Sequence, residues 1–450
     1  MKGRYTAEIE GKKITVMRIG LLGRGVGDTA FLAENGADVL VVDSASKEVM
    51  QPSVDALTKY KNVRFKFGAY DLKDFTECDM VLKGAGTPLN SPEIKEAQAK
   101  GVPIEMSASL FQKLAKIPIV GVTGTRGKST VTHMIYHVLR EGVDGEGILL
   151  GGNVRGVSNL QLLHEVREES IAVMELDSWQ LQGFGYSKIS PQISVFTSFM
   201  SDHMNYYNND IQAYFEDKAQ IFLHQGPGDL LVTTPAVFRL IEAYAHERGL
   251  TLRGEVSLAD DSSLPEGIVL RMPGAHNLVN AGLATEVLRA MGLEEEAIRA
   301  GLNSFRGVPG RLELMGIDKG VTIYNDNNAT TPEATVAGIR AVAEGKNIVL
   351  IMGGADKTLD PAPLLAEIKK HVKATVLIDG TGSDNVRSSI SNVHDAHSLE
   401  EAIDIAMQNA ENGDVILFSP AFASFGMFKN EYDRNDRFVA LIQKRLDTEI

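Results

Sequence analysis

Short apolar runs alternate with longer stretches of helical period along the chain. A strand pattern over Lys13 to Ile19 passes through the glycine turn Gly20-Leu-Leu-Gly23-Arg-Gly25-Val-Gly27 into a helical stretch ending near Asn35. Asp38-Val-Leu-Val-Val-Asp43 then reads as a second strand, which completes a β-α-β unit ending on an acid. The match to the dinucleotide fingerprint G-x-G-x-x-G is partial. Arg18 occupies the first glycine place, and Asp43 falls 20 residues beyond Gly23, where a ribose-binding acid would stand. These residues alone leave a NAD site, a nucleotide-sugar site and an empty Rossmann-like fold equally open. Further strands are expected at Asp79 to Leu82 and Pro103 to Met106, with Gly84-Ala-Gly-Thr-Pro88 as the loop between them.

The strongest local pattern is the apolar run Ile117 to Val122, followed by Gly121-Val-Thr-Gly-Thr-Arg-Gly-Lys-Ser-Thr130 and a helical pattern over Lys128 to Arg140. It reads as a phosphate-binding loop of variant form, G-x-x-G-x-x-G-K-[ST], with Val at 122 where the general pattern has glycine. Glycines let backbone N–H groups turn towards an anion; Lys128 supplies a point charge, and the Ser129 or Thr130 hydroxyl an oxygen for Mg²⁺. Two more buried-strand patterns, Ile171 to Glu175 and Ile193 to Phe196, each end beside polar residues, which places Glu175 and the Asp202-His203 pair where parallel sheets gather ligands. A polar, turn-rich interval, Arg253 to Glu266, precedes a helix opening at Gly274-Ala-His-Asn277-Leu-Val-Asn280. Gly307-Val-Pro-Gly310-Arg311 reads as a linker. Strand candidates at Val321 to Tyr324, Asn347 to Met352, Ala374 to Ile378 and Val415 to Phe418 then define another doubly wound unit without a phosphate loop.

Length and charge narrow this picture. At about 150 residues per domain, 450 residues suggest roughly three domains, drawn at 1–115, 116–307 and 308–450. A hydrophobic fraction of 44% with 23% charged residues is ordinary for a globular enzyme. The net charge of -14 argues against a general nucleic-acid or anionic-membrane surface, while small anionic substrates remain compatible. The single cysteine, Cys78, excludes an intrachain disulfide framework and fits a reducing cytoplasm. No apolar leader and no run approaching 18 apolar residues is found, so neither export nor membrane insertion is expected.

From the residues alone, Glu175 is the best magnesium ligand, since hard oxygen donors suit that ion beside a triphosphate. His203 reads more readily as a satisfied loop residue, and Lys218 in Phe215-Glu-Asp-Lys218-Ala-Gln220 as a solvated helix lysine.

A resemblance changes that weighting. Gly121 to Thr130, Glu175-Leu-Asp-Ser-Trp-Gln-Leu181, Asp202-His203-Met204, Lys218, the Asn277/Asn280 pair, Gly307-Val-Pro-Gly-Arg311 and Asn325-Asp326 stand in the order found in the Mur ligases. The terminal Ser419-Pro-Ala-Phe-Ala-Ser-Phe425 and Phe428-Lys-Asn430 look most like the branch that adds glutamate, and the similarity spans essentially the whole chain. The resemblance implies an α/β fold of three domains: a Rossmann-like N-terminal domain for a UDP-sugar, a central P-loop ATPase domain with a mainly parallel sheet, and a Rossmann-like C-terminal domain for the amino acid. It implies ATP-dependent amide formation between UDP-N-acetylmuramoyl-L-alanine and D-glutamate through an acyl phosphate, with ATP and two Mg²⁺ ions, in a cytoplasmic monomer.

Carried over by position, Gly124, Thr125, Gly127, Lys128, Ser129, Thr130, Asn277, Asn280, Arg311 and Asp326 would contact ATP. Ser129, Thr130, Glu175, His203 and Lys218 would serve the metal, with Lys218 at the position of a carbamylated lysine. Leu21, Leu22, Asp43, Gly86, Asn153 and Asp177 would touch the UDP-sugar, and Thr330, Lys357, Ser424 and Phe425 the amino acid. Three positions depart from the family pattern: Asp177 replaces a serine, Asn328 a lysine and Glu431 an aromatic residue. An acid beside a dicarboxylate substrate repels it unless paired. Rival readings are a sister ligase for L-glutamate or another amino acid, folylpolyglutamate synthase, a non-catalytic nucleotide-binding protein and an NAD-dependent dehydrogenase. The last is disfavoured by Arg18 and leaves the P-loop unexplained.

Overall fold

The computed structural model describes residues 5–447 except 21–22, 85, 89, 143–144, 146, 155, 205, 273, 358 and 425–426. The expected positions Leu21, Leu22 and Phe425 therefore lie outside the described residues.

The described residues build three α/β domains, each on its own sheet. The first sheet contains β1 (Lys13–Met17), β2 (Asp38–Asp43), β3 (Val63–Phe67), β4 (Met80–Lys83) and β5 (Ile104–Glu105), in the order β3-β2-β1-β4-β5. All its pairings are parallel. The second contains β6 (Ile119–Thr123), β7 (Ile148–Gly152), β8 (Ile171–Glu175), β9 (Ile193–Phe196), β10 (Leu230–Thr233) and β11 (Glu255–Leu258). Its order is β11-β10-β9-β6-β8-β7, again wholly parallel. The third contains β12 (Glu313–Asp318), β13 (Val321–Asn325), β14 (Ile348–Gly353), β15 (Val372–Ile378), β16 (Val393–Ala396) and β17 (Val415–Ala421), in the order β12-β13-β17-β14-β15-β16. Here β12 and β13 form an antiparallel edge on an otherwise parallel sheet.

These orders decide where ligands can sit. In the first sheet β1 lies between β2 and β4, and in the second β6 lies between β9 and β8. Chain connections leave such a strand towards opposite faces, which opens a crevice at its carboxyl end. The glycine turn follows β1 and the phosphate loop follows β6, each at its own switch point.

The chain divides into two compact units. Met1–Glu266 with Val279–Gly301 forms one, and Gly267–Leu278 with Leu302–Ile450 the other. The first unit holds both N-terminal sheets, and one apolar cluster joins Val39 and Val41 of β2 to Ile119 of β6, Met174 of β8 and Phe196 of β9. In the second unit, Ile348, Leu350 and Met352 of β14 pack into one cluster, while Val349 and Ile351 pack into another. Alternate side chains thus bury on opposite faces, which explains why this strand is apolar without interruption. The interval Arg253 to Glu266, expected as turn-rich, contains the edge strand β11. Its residues remain partly exposed, so they carry no apolar signature. No described helix is long and apolar enough to cross a membrane.

Candidate active site

β6 delivers the chain into the phosphate loop at Thr123, and the helix Lys128–Gly142 leaves it. Two glycines make that turn possible. Gly124 has φ 143°, and a Cβ there would lie 2.0 Å from Thr197 Oγ1. Gly127 has φ 88°, and a Cβ would lie 2.5 Å from Asn280 Oδ1. Only glycine suits these angles and this crowding. The loop is further braced by Thr125 N donating to Ser198 O at 2.8 Å and Arg126 N donating to Ser198 Oγ at 2.9 Å. The result is a rigid cradle at a helix N-terminus, where free N–H groups and the helix dipole favour an anion.

Lys128 is half-buried and donates to Gly124 O at 2.9 Å. Lys218, on the helix Ile211–Ala219, donates to the same carbonyl at 2.9 Å and is only 1% exposed. Burial, reinforced by the adjacent Lys128 charge, holds the Lys218 amine well below the ordinary lysine range. The sequence had suggested a solvated lysine; the structure instead buries it, 4.9 Å above the Tyr214 ring.

β8 lies beside β6 with Val122 opposite Glu175, and this register brings Glu175 to the phosphate helix. The Ser129 hydroxyl donates to Glu175 Oε2 at 2.5 Å, and both residues are buried. A hydroxyl and a carboxylate side by side at an anion cradle are hard oxygen donors of the type magnesium takes, so the residues present fit that ion. Thr130 is buried in the first turn of the same helix. His203 adopts a left-handed backbone, φ 54°, and its ring packs on Trp179 with centroids 4.9 Å apart. Among the described residues no group of three or more His, Cys, Asp or Glu side chains is arranged to hold a metal. Ser129 and Glu175 are thus brought together directly, whereas His203 sits against an aromatic wall.

A second feature of this unit is a cavity of about 370 Å³ at the carboxyl ends of β1 and β4. Gly86, Asn153 and Asp177 line it, together with Arg18, Arg24, Asp28, Lys83 and Trp179. Arg24 donates to Asn153 Oδ1 at 2.7 Å, so a cation and an amide share one wall. Asp177 accepts from Gln180 N at 2.8 Å, capping the helix Ser178–Ser187. Asp43 is buried at the end of β2 and accepts from Ala45 N at 3.0 Å; it is not among the described residues lining the cavity. Sequence reading passed over Lys83 and Trp179. The available signal was a lysine closing an otherwise apolar strand immediately before a glycine loop.

The second unit carries the remaining candidates. Asn277 is buried on the helix Ala275–Ala290, and Arg311 is exposed. Asp326 is buried and accepts from Ser419 Oγ at 2.8 Å and Leu312 N at 3.1 Å. Burial outweighs these bonds and the Arg311 charge, pushing its carboxyl up to about 7. An unfolded aspartate titrates near 3.9. Between these values the folded state holds a proton that the unfolded state releases, so this group's contribution to stability falls as pH rises through about 7. Asp326→Asn cannot ionise, and its thermal midpoint relative to the parent should therefore rise between pH 5 and pH 8, by roughly 2–4 °C for each kcal/mol recovered. A pH-independent difference between the two proteins would rule out a buried, titrating Asp326.

Lys357 donates to Thr330 Oγ1 at 3.0 Å, and Ser424 is buried. Arg434, wholly buried, donates to Asn327 Oδ1 at 2.8 Å and Asn327 O at 3.0 Å. Burial draws the Lys357 amine down, as does the Arg434 charge, while Glu431 pulls it the other way. Glu431 likewise acts on Arg434. The acid that departs from the family pattern therefore interacts electrostatically with two cations, Lys357 and Arg434. Asn328, the other departure in this unit, donates to Pro309 O at 3.2 Å.

A phosphate cradle at the switch point of a parallel sheet, with a hydroxyl, a carboxylate and two lysines around it, defines a P-loop nucleotide-dependent enzyme. Family comparison narrows the class. Residues 12–105 match the model of the Mur ligase MurD-like N-terminal domain, 122–288 the Mur ligase middle domain, and 310–422 the Mur ligase glutamate ligase domain. The chain is 34% identical to the UDP-N-acetylmuramoylalanine--D-glutamate ligase of Roseiflexus sp. (strain RS-1), over 97% of this chain and 99% of that one. It is 32% identical to the enzyme of the same name from Geobacillus kaustophilus (strain HTA426), over 95% and 97%. The chain belongs to the Mur ligase family. Among solved structures, the UDP-N-acetylmuramate-alanine ligase of Thermotoga maritima shares the fold, with a TM-score of 0.57 at 22% identity over 96% of this chain and 100% of that one. Use of ATP and magnesium is typical of the family.

Proposed function

We propose that this chain is an ATP-dependent ligase that joins D-glutamate to the alanine carboxylate of UDP-N-acetylmuramoyl-L-alanine, a step in peptidoglycan precursor synthesis. The observation that carries the reading is the convergence of Ser129 with Glu175, and of Lys128 with Lys218 on the Gly124 carbonyl, beneath one phosphate cradle.

The chemistry follows from those groups. A carboxylate oxygen of the sugar nucleotide attacks the γ-phosphorus of ATP, ADP leaves, and an acyl phosphate forms. The glutamate amine then attacks the acyl carbon, inorganic phosphate departs and the amine proton passes to solvent. Both transition states gather negative charge on phosphoryl or acyl oxygens, so positioning and charge neutralisation do most of the work. Lys128 and the N-terminal N–H groups of its helix hold the phosphates, with Gly124, Thr125 and Gly127 shaping the loop. Ser129 and Glu175 hold magnesium, assisted by Thr130, His203 and a carbamylated Lys218; two bound ions would supply Lewis-acid polarisation of the phosphoryl oxygens. Asn280, beside Gly127, contributes to nucleotide recognition in the first unit; Asn277, Arg311 and Asp326 are the nucleotide contacts proposed for the second.

The cavity of about 370 Å³ takes the UDP-sugar, with Gly86, Asn153 and Asp177 in its wall, and Leu21, Leu22 and Asp43 as further contacts. Thr330, Lys357, Ser424 and Phe425 take the amino acid. A cation bonded to a hydroxyl suits a dicarboxylate through charge-assisted hydrogen bonds, and the cations that act electrostatically on Glu431 keep that pocket compatible with glutamate.

Phosphate release is the direct test, measured with ATP, magnesium and this sugar nucleotide in separate reactions with D-glutamate, L-glutamate, L-alanine, L-lysine and meso-diaminopimelate. Turnover should be substantial only with D-glutamate. A clear preference for another amino acid would overturn the substrate assignment and leave the ligase chemistry standing.

A further inference from the structure

Lys83 closes β4 after three apolar residues and is 2% exposed, yet it lines the cavity of the first unit. A buried ammonium is costly unless its charge is met. Here its N–H groups donate to Thr87 O at 2.5 Å and Gly84 O at 3.3 Å, both neutral carbonyls. Two carboxylates, those of Asp177 and Asp217, act on its charge without an ion pair to it among the described contacts. Asp177 is already engaged in capping its helix, and Asp217 accepts from Gln182 Nε2 at 2.7 Å and Tyr207 OH at 2.9 Å. Compensation is therefore incomplete, and burial brings the Lys83 amine down to about 8 against the pull of both acids.

The rest of the cavity shares this demand for an anion. Arg18 and Arg24 line it with Lys83, and Asp28, the other acid in its wall, is occupied by Ser158 Oγ at 2.6 Å and Leu160 N at 3.1 Å. Burial moves the Asp28 carboxyl towards its neutral form. Trp179, also in the wall, presents a buried indole N–H with no acceptor among the described residues.

We propose that Lys83 is a substrate-recognition residue whose ammonium meets an anionic oxygen of the sugar nucleotide, from its diphosphate or its carboxylate. The inference rests on the ligase reading and adds a residue to it. An incoming anion completes the shell of a buried cation now held mainly by neutral carbonyls, where charge-assisted bonds are strong.

The test is calorimetric binding of UDP-N-acetylmuramoyl-L-alanine, and of UDP alone, to the full chain and to Lys83→Met and Lys83→Arg between pH 6.5 and 9. In the parent, affinity should fall about 10-fold from pH 7 to pH 9 as Lys83 loses its proton. Lys83→Met should bind about 10–100-fold more weakly at pH 7 and lose the pH dependence, with the kinetic loss concentrated in the KM for the sugar nucleotide. Lys83→Arg should retain binding within a few-fold and also be flat with pH. A loss shared by UDP identifies the diphosphate; a loss confined to the full nucleotide identifies the carboxylate. If the methionine variant does not fold, the parent profile and the arginine variant decide the matter. Parent affinity that is flat from pH 7 to 9, or a folded Lys83→Met binding within two-fold of the parent, overturns the role of Lys83 alone. A parent that binds neither nucleotide overturns the ligase reading and this inference with it.

Discussion

Lys128→Ala should lower ATP-dependent ligation by at least roughly 10²–10³-fold while leaving the fold intact. The side chain is half-buried and rests on the carbonyls of Gly124 and Thr125, at 2.9 and 3.3 Å. Those bonds lie within the loop, and their loss exposes no core; a thermal midpoint within a few degrees of the parent is expected. A large catalytic cost is expected because, on the proposed mechanism, the ammonium neutralises phosphoryl oxygens in the transition state. Turnover and thermal unfolding should be measured on the same preparation. Activity within a few-fold of the parent would remove the phosphate loop from the mechanism.

An effect of similar size is expected at Lys218, for a different reason. Its amine is buried beside Lys128 and held low enough to be a nucleophile, so it can add carbon dioxide to give a carbamate and a proton. That reaction exchanges a buried cation next to another cation for an oxygen anion, which Lys128 and magnesium both favour. Lys218→Ala should lose activity by roughly 10³-fold and recover part of it with formate or acetate, whereas Lys218→Arg should not respond. A purely structural lysine would show the loss without the rescue. Native mass measurement of the parent under bicarbonate should show the added mass of one carbon dioxide. Absence of both added mass and rescue would return Lys218 to a structural role.

The buried centre of each sheet was legible because strands covered on both faces are apolar throughout. Ile171–Glu175 and Ile193–Phe196 were read to the residue. Two edge strands were not: Val63–Phe67 and Glu255–Leu258 are half-exposed and interleave polar residues, which removes the signal. The phosphate loop was readable because its glycines and lysine lie close together in sequence. The Ser129–Glu175 bond was not contained in any spacing; it arises because β6 and β8 become neighbours. Lys83 and Lys218 show the same limit from another side. Lys218 reads as a solvated lysine in its local window and Lys83 draws no reading at all; only tertiary packing reveals that both are buried. The acid at Glu431 reads as repulsive to a dicarboxylate in sequence, where its electrostatic coupling to Arg434 and Lys357 is not visible.

This phosphate loop is expected to activate a carboxylate by phosphorylation. UDP-N-acetylmuramoyl-L-alanine labelled with ¹⁸O in its alanine carboxylate, turned over with ATP, magnesium and D-glutamate, tests it most directly. Acyl-phosphate chemistry moves one labelled oxygen into the inorganic phosphate, since the acyl carbon–oxygen bond is the one that breaks when the amine attacks. Released phosphate carrying one ¹⁸O per turnover is the predicted result; amide product formed with wholly unlabelled phosphate would contradict the account.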